Sequence, residues 1–252
     1  MYCEPNGEFP HNPEPLKEHL GAIASRVVAE QADFGIVVDP DVDRLAIVNE
    51  DGSMFGEEYT LVACADYVLG EMGGGNTVSN LSSSRALRDV TEKHGGHYKA
   101  SAVGEVNVVQ AMKATDTVIG GEGNGGIIYP ELHYGRDSLV GVALFLTHLA
   151  NKKMKVSALR ASYPEYYMSK NKIELTPQID VDAILVAMTD KYKNEDITTI
   201  DGVKIDFASE WVHLRKSNTE PIIRIYTEST SQEKADALAH TLLTKIKEIA
   251  GR

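Results

Sequence analysis

Apolar and polar residues follow one another along the chain in two different patterns. Up to about residue 151, segments with apolar residues at helical spacing alternate with short apolar runs of strand length. The predicted strands lie at 34–38, 45–48, 76–80, 97–102 and 116–120, and the predicted helices at 16–31, around 61–69, and at 83–94, 104–114 and 137–151. Strands that alternate with helices predict an α/β fold with a mixed, mostly parallel sheet.

The pattern changes near Pro164. The final segment is predicted to contain a helix at 180–193, three strands at 202–207, 211–215 and 221–227, and a last helix that opens with a capping box from Thr230 to Glu233. This order predicts a C-terminal α+β domain with a small antiparallel sheet. The predicted domains are therefore 1–53, 54–163 and 164–252.

An acidic loop, Asp39-Pro40-Asp41-Val42-Asp43-Arg44, separates the first two predicted strands. Three carboxylates this close repel one another unless a cation lies among them, and Mg²⁺ prefers such oxygen ligands. Asp39, Asp41 and Asp43 are therefore predicted metal ligands, and Arg44 a predicted contact to an anionic ligand that the metal also binds. Two alternatives are an EF-hand, which needs glycine where Arg44 stands and helices on both sides, and a solvated acidic turn without metal.

A glycine-rich loop covers residues 120–126 and matches the dinucleotide-binding pattern G-x-G-x-x-G. That function is not favoured, because Pro130 prevents the helix that the pattern requires and Glu122 would repel a diphosphate. Glu122 and Asn124 are instead predicted to bind sugar hydroxyls, since a carboxylate accepts hydrogen bonds from two neighbouring hydroxyl groups. The alternative is a glycine-rich turn with solvated polar residues.

A third loop combines arginines with hydroxyl and amide side chains. The residues predicted to bind a phosphate group are Arg215, Ser217, Asn218, Thr219 and Arg224. Arginine binds phosphate through two parallel hydrogen bonds, and asparagine tolerates the left-handed backbone of an anion-binding turn. A polar hairpin turn with a surface arginine is the alternative.

Composition narrows the class of protein. The 252 residues carry a net charge of −12, which argues against general nucleic-acid binding. No apolar run approaches the roughly 20 residues that cross a bilayer, so no membrane contact is expected. Two cysteines form no disulfide framework and indicate a cytoplasmic protein. The proline-rich opening at 5–15 suggests a chain cut from a longer protein.

Taken in order, the three loops make the chain resemble the C-terminal half of an α-D-phosphohexomutase, the family of phosphoglucomutase, phosphomannomutase and phosphoglucosamine mutase. The family's metal loop reads Asp-Gly-Asp-Gly-Asp-Arg, its sugar loop begins Gly-Glu-x-Ser or Gly-Glu-x-Asn, and its phosphate loop reads Arg-x-Ser-x-Thr-x-Pro. The similar segments here are 39–44, 121–124 and 215–221. The resemblance implies an Mg²⁺-dependent isomerase that interconverts hexose 1-phosphate and hexose 6-phosphate through a phosphoserine and a bisphosphate intermediate.

The resemblance also implies that this chain lacks the N-terminal domains with the nucleophilic serine, and that it is inactive alone. Residues 10–13 look similar to the family's Ser-His-Asn-Pro motif, but proline stands where serine would be, and the segment is better matched to the proline-rich loop before the last helix of the family's second domain. Two further departures are Glu105, where many members have a basic residue, and Gly126, where many have histidine. The alternative function is a non-catalytic regulatory module that binds metal and sugar phosphate.

Overall fold

The computed structural model describes residues 1–175, 180–217 and 220–249. The chain divides into two units, Met1–Pro164 and Glu165–Arg252. The predicted fold class is confirmed: a mixed four-stranded sheet with helices occurs in the first unit, and an antiparallel sheet with helices in the second. The finer division into 1–53, 54–163 and 164–252 stays a prediction.

The first unit contains a β-hairpin and a separate four-stranded sheet. Its helices are α1 (Gly21–Ala29), α2 (Glu57–Met72), α3 (Ala86–Lys93), α4 (Glu105–Ala114), α5 (Ser138–Lys152) and α6 (Val156–Ala161). Its strands are β1 (Phe34–Val38), β2 (Leu45–Asn49), β3 (Asn76–Asn80), β4 (Tyr98–Ser101), β5 (Thr117–Glu122) and β6 (Gly126–Ile128). β1 and β2 form the antiparallel hairpin, and the acidic loop joins them. In the order β4-β3-β5-β6, the first three strands are parallel, and β6 runs antiparallel to β5.

Helix α2 is buried along most of its length, with Leu61 and Leu69 almost inaccessible to solvent. Asp66 is also buried on this helix, where it bonds His94 at 2.7 Å and lies 3.2 Å from His148. Burial would raise the pKa of Asp66, but the hydrogen bonds from these histidines outweigh it and hold the pKa well below its usual range. This cluster ties α2 to α5 and to the end of α3.

The second unit is an antiparallel sheet with one apolar and one polar face. Its elements are β7 (Tyr167–Glu174), α7 (Val181–Lys191), β8 (Asp196–Thr198), β9 (Val203–Asp206), β10 (Trp211–Lys216), β11 (Ile222–Ser229) and α8 (Gln232–Ile249). The strand order is β7-β11-β10-β9-β8. Leu214 and Ile225 pack with Met188 of α7 and Leu242 of α8, so the helices cover the apolar face.

Several predicted boundaries differ from the structure. The helix predicted at 16–31 is a 3-10 turn at Lys17–His19 followed by α1. The cap of α8 is Ser231, whose hydroxyl accepts from the amide of Lys234 at 3.3 Å, so the capping box at Thr230 is wrong by one residue. Asp180 caps α7, since its carboxylate accepts from the amide of Ala183 at 3.0 Å. Within the described part of the chain, no helix has the length and apolarity that a membrane crossing requires.

Candidate functional site

The acidic loop between β1 and β2 brings three carboxylates together. Asp39, Asp41 and Asp43 each offer an oxygen, and these oxygens lie within 4.8 Å of one another. Asp39 is buried, and its Oδ1 accepts from the amides of Asp43 and Arg44, both at 3.0 Å. These two bonds fold the loop back on its first residue, so the three acids face one point. A set of three hard oxygen donors fits Mg²⁺.

The three acids do not share their charge equally. Burial raises the pKa of Asp43 to about 6, with the Asp39 carboxylate adding to the effect and the Arg136 guanidinium opposing it. Burial also acts on Asp39, but the amide hydrogen bonds from Arg44 and Asp43 outweigh it and lower its pKa. Asp39 therefore stays ionised as the pH falls, whereas Asp43 takes up a proton more readily.

Val42 gives the loop its tight turn. Its φ of +61° lies in the left-handed region, which a β-branched residue adopts only under strain. Its carbonyl oxygen accepts from the amide of Ser138 at 3.1 Å and from the Ser138 hydroxyl at 2.7 Å. Asp137 caps α5, whose first residue is Ser138, by accepting from the amides of Leu139 and Val140. The start of α5 thus holds the acidic loop in place.

Arg44 lies at the outer side of the acidic loop. Its Nη1 is 3.0 Å from Glu14 Oε1, and its Nε is 3.6 Å from Asp39 Oδ2 and 3.8 Å from Asp43 Oδ1. The side chain is 29% exposed, which leaves it accessible to a ligand. Its predicted role as a contact to an anionic ligand stays a prediction.

The glycine-rich segment is the turn of the hairpin formed by β5 and β6. β5 continues to Glu122, which is only 6% exposed and therefore lies at the end of a strand rather than in an open loop. Its Oε1 accepts from Asn80 Nδ2 at 2.8 Å and from the amide of Gly104 at 3.3 Å. Asn124 closes the turn by accepting from the amide of Gly126 at 3.2 Å. Their predicted contacts to sugar hydroxyls stay predictions.

The glycine-rich turn packs directly on the strand that follows the acidic loop. The carbonyl oxygen of Gly125 accepts from the amide of Leu45 at 3.0 Å. Gly125 has a φ of +87°, and a Cβ there would lie 2.3 Å from the Leu45 carbonyl oxygen. Only glycine permits this approach. The structure thus brings the predicted metal loop and the predicted sugar loop side by side within the first unit.

Arg136 was not predicted as a site residue, yet it joins these two loops. Its Nη2 bonds Asp43 Oδ2, and its Nη1 lies 3.0 Å from Glu122 Oε2. Both departures from the family pattern, Glu105 and Gly126, are neighbours of this arginine. Asp43 is 93 positions away in sequence, so no local spacing pointed to the contact.

The arginine-rich loop lies in the second unit, between β10 and β11. Arg215 and Arg224 are direct partners across these strands, and Lys172 on β7 is the partner of Arg224 on its other side. Ser217 is buried, and its hydroxyl accepts from the amide of Glu220 at 3.3 Å. Arg215, Ser217 and Arg224 therefore occur together in one part of the second unit. Asn218 and Thr219 lie outside the described residues.

Three family models match the chain and together cover most of it. They are the phosphoglucomutase/phosphomannomutase α/β/α domain II at residues 1–52, the α/β/α domain III at 56–167 and the C-terminal domain at 171–245. The segments occur in the family's own order.

Curated relatives show the same similarity. A phosphoglucomutase/phosphomannomutase from Thermococcus kodakarensis is 38% identical over 234 residues, which are 92% of this chain and 51% of the relative. A probable phosphoglucosamine mutase from Methanopyrus kandleri is 34% identical over 240 residues, which are 94% of this chain and 53% of the relative. The chain spans about half the length of the curated relatives it matches.

Solved structures share the fold. A phosphoglucomutase/phosphomannomutase family protein from Burkholderia thailandensis superimposes with a TM-score of 0.82 at 23% identity, over 96% of this chain and 52% of that one. An N-acetylphosphoglucosamine mutase from Aspergillus fumigatus, in complex with GlcNAc-6P and magnesium, has a TM-score of 0.61 at 16% identity. The match covers 90% of this chain and 53% of that one.

Proposed function

This chain belongs to the phosphoglucomutase/phosphomannomutase family, and we propose that it is the metal-, sugar- and phosphate-binding part of a magnesium-dependent phosphohexomutase. The substrate class is a hexose phosphate, interconverted between its 1-phosphate and 6-phosphate forms. The observation that carries the proposal is the convergence of Asp39, Asp41 and Asp43, whose carboxylate oxygens lie within 4.8 Å of one another beside the glycine-rich turn. The names of the similar enzymes include several sugars, so the proposal specifies the class of substrate.

The three aspartates would hold Mg²⁺. When bound there, the ion would offset negative charge on the phosphoryl group that is being transferred. The chain's own residues prepare that site. The amides of Asp43 and Arg44 fix the Asp39 carboxylate, and the start of α5 holds the loop through Val42. The donor set and its rigidity both suit a hard divalent cation.

Substrate binding is proposed for the remaining predicted residues. Glu122 accepts hydrogen bonds from the sugar hydroxyls, Asn124 donates to them through its amide nitrogen, and Arg44 contacts an anionic oxygen near the metal. Arginine side chains recognise a phosphate group through two donors at once, which suits the phosphate that does not react. The proposed phosphate ligands are Arg215, Ser217, Asn218, Thr219 and Arg224.

The catalytic serine, which carries a phosphoryl group at the start of the cycle, is proposed to lie in a part of the protein outside these 252 residues. The basis is that the chain spans about half the length of its relatives and matches the family models for domains II, III and IV. The phosphoserine gives its phosphoryl group to a sugar hydroxyl, which yields a bisphosphate. The serine then takes back the phosphoryl group from the other position of the sugar.

The partner of this chain is therefore the remainder of the same protein, and the chain alone is expected to be inactive. A reducing cytoplasm is proposed because Cys3 and Cys64 are both free thiols. No nucleic-acid or membrane partner is part of the proposal. A purely regulatory module is not favoured, since the matched relatives have the names of mutases.

Two measurements test this function with the purified chain. Calorimetric titration with glucose 6-phosphate, mannose 6-phosphate and glucosamine 6-phosphate in the presence of Mg²⁺ should show saturable binding of at least one of them, and failure of all three to bind would overturn the proposed substrate class. A coupled mutase assay, free of host enzyme, should show no turnover. Turnover by the chain alone would refute the placement of the nucleophile and leave the binding sites standing.

A further inference from the structure

Arg136 is held by three carboxylates that come from three different parts of the first unit. Its Nη2 bonds Asp43 of the acidic loop, its Nη1 lies 3.0 Å from Glu122 Oε2 at the end of β5, and its Nε lies 3.2 Å from Glu105 Oε2 at the start of α4. Each nitrogen of the guanidinium group serves a different acid. The side chain is only 15% exposed, so these contacts are largely shielded from water.

The backbone around Arg136 is shaped to receive it. A Cβ on Gly126 would lie 2.5 Å from Arg136 Cδ, so a side chain at position 126 would displace the arginine. The amide of Arg136 also donates to Glu105 Oε1 at 3.3 Å, which makes Glu105 a partner of both its backbone and its side chain. The guanidinium group is planar and its donors point in fixed directions. A shift at one bound carboxylate therefore affects the other carboxylates more than it would through a flexible ammonium group.

Asp43 is the residue that the arginine and a divalent cation would share. Both cations attract the same carboxylate, and they repel each other across a few ångströms. A metal ion at the three aspartates therefore weakens the hold of Arg136 on Asp43, and Arg136 in turn lowers the affinity of the loop for the metal. Such an effect is reciprocal by thermodynamic linkage.

We propose that Arg136 is a positioning residue that couples the acidic loop to Glu122. When its ion pair with Asp43 weakens, the guanidinium group forms stronger ion pairs with Glu122 and Glu105. The Glu122 carboxylate is then fixed for the sugar hydroxyls, so metal binding strengthens sugar-phosphate binding. This inference rests on the proposed function, because it needs both the metal loop and the sugar contact.

The test uses the whole chain with two substitutions, Arg136→Met and Arg136→Lys. Mn²⁺ binding is measured by electron paramagnetic resonance. Arg136→Met should bind Mn²⁺ roughly 10-fold more tightly than the unchanged chain, because one neighbouring positive charge is gone. Arg136→Lys keeps that charge and should stay within about 2-fold of the unchanged chain. Arg88→Met removes the same charge at a side chain whose ion pair is with Asp89 and should leave Mn²⁺ affinity unchanged.

The coupling itself is measured by titrating glucose 6-phosphate with and without Mg²⁺. The unchanged chain should bind the sugar phosphate several-fold more tightly with Mg²⁺, and both Arg136 variants should lose most of that gain. A merely structural arginine would alter the melting temperature and leave this ratio intact. Equal Mn²⁺ affinity in folded Arg136→Met, or an unchanged Mg²⁺ gain in both variants, overturns the inference. If Arg136→Met does not fold, the Mg²⁺ gain in Arg136→Lys decides alone.

Asp39→Asn separates this inference from the proposed function. If Asp39→Asn leaves Mn²⁺ affinity unchanged, the proposed metal site is wrong and the coupling has no basis. If Asp39→Asn loses Mn²⁺ while Arg136→Met matches the unchanged chain, the metal site stands and only the role of Arg136 is rejected.

Discussion

Arg215 on β10 and Arg224 on β11 are direct cross-strand partners, so both side chains project from the same face of the sheet. Lys172 on β7 continues the row beyond Arg224. Within the described parts of the chain, the buried Nε atoms of both arginines have no hydrogen-bond acceptor. Arg224 Nη2 bonds Glu220 Oε2 at 2.7 Å, which offsets part of the repulsion between these like charges, and a bound phosphate would relieve the rest.

Replacing Arg215 should therefore weaken phosphate binding without lowering the stability of the second unit. Arg215→Gln is expected to weaken glucose 6-phosphate binding by about 10- to 100-fold, the loss typical of a charge-assisted hydrogen bond. It should also raise the free energy of unfolding of the second unit by about 0.5 kcal/mol, because the repulsion with Arg224 is removed. Calorimetric titration measures the first effect, and urea unfolding followed by fluorescence of Trp211, the chain's single tryptophan, measures the second. Lys216→Gln, on the adjacent exposed residue, is the control. Unchanged binding in Arg215→Gln would contradict the phosphate role.

Asp39→Asn should abolish most of the metal affinity with little loss of stability. The amide oxygen of asparagine can still accept from the amides of Asp43 and Arg44, so the turn is kept while the charge is lost. Mn²⁺ affinity is expected to fall at least about 10-fold, since one anionic ligand becomes neutral. Asp33→Asn, an exposed carboxylate before β1, should bind Mn²⁺ like the unchanged chain. Equal Mn²⁺ affinities in the two variants would exclude the acidic loop as the metal site.

Val42→Gly should relieve backbone strain in the acidic loop. Valine at a φ of +61° costs about 1–2 kcal/mol that glycine does not, while glycine loses more backbone entropy on folding. The free energy of unfolding is therefore expected to stay unchanged or to rise by up to about 1 kcal/mol, as measured by calorimetry. Val38→Gly is a matched control, because Val38 and Val42 are both 37% exposed but Val38 lies in a regular strand. Val38→Gly should lose about 1 kcal/mol, and a similar loss in Val42→Gly would show that the turn is not strained.

His213 should make the second unit sensitive to acid. Burial lowers its pKa from 6.5 to about 4, and its Nε2–H donates to the carbonyl oxygen of Asp201 at 2.7 Å. Between these two pKa values the unfolded chain binds a proton that the folded chain does not. The free energy of unfolding should therefore fall as the pH falls from about 6.5 to about 4, by up to about 3 kcal/mol.

Urea unfolding followed by Trp211 fluorescence across that pH range measures this loss. His213→Gln should flatten the dependence on pH whatever its effect on overall stability. His240→Gln removes an exposed histidine of the same unit and should keep the slope of the unchanged chain. A slope that survives in His213→Gln would assign the acid sensitivity to another group.

Local patterns predicted the α/β part of the fold well and part of the antiparallel sheet poorly. The strand predicted at 34–38 coincides with β1, because its apolar run is short and uninterrupted. Strand β7 was missed because Tyr167–Glu174 carries polar residues on both sides of the strand, and its identity comes from eight paired positions along β11. Pairing with a distant strand leaves no periodic signal in the segment itself.

In the candidate site too, some features follow from the local sequence and others depend on contacts between residues far apart in the chain. The acids at 39, 41 and 43 were predictable because their repulsion is a property of the loop alone. The surroundings of Glu122 were not, because Asn80, Gly104 and Arg136 reach it from three other elements. Arg136 itself looked like an ordinary residue before a helix, and only the fold shows which acids it joins.

The bonds between Ser138 and Val42 have a consequence for how the chain folds. They link residues 96 positions apart, and the contact of Arg136 with Asp43 spans 93. Closing loops of that length is slow compared with forming a local turn. During synthesis the three acids emerge long before Arg136 and Ser138 exist to arrange them. We therefore expect the contacts of the acidic loop with Arg136 and Ser138 to form late, after the sheet and α5 have assembled, although the bonds within the loop form locally.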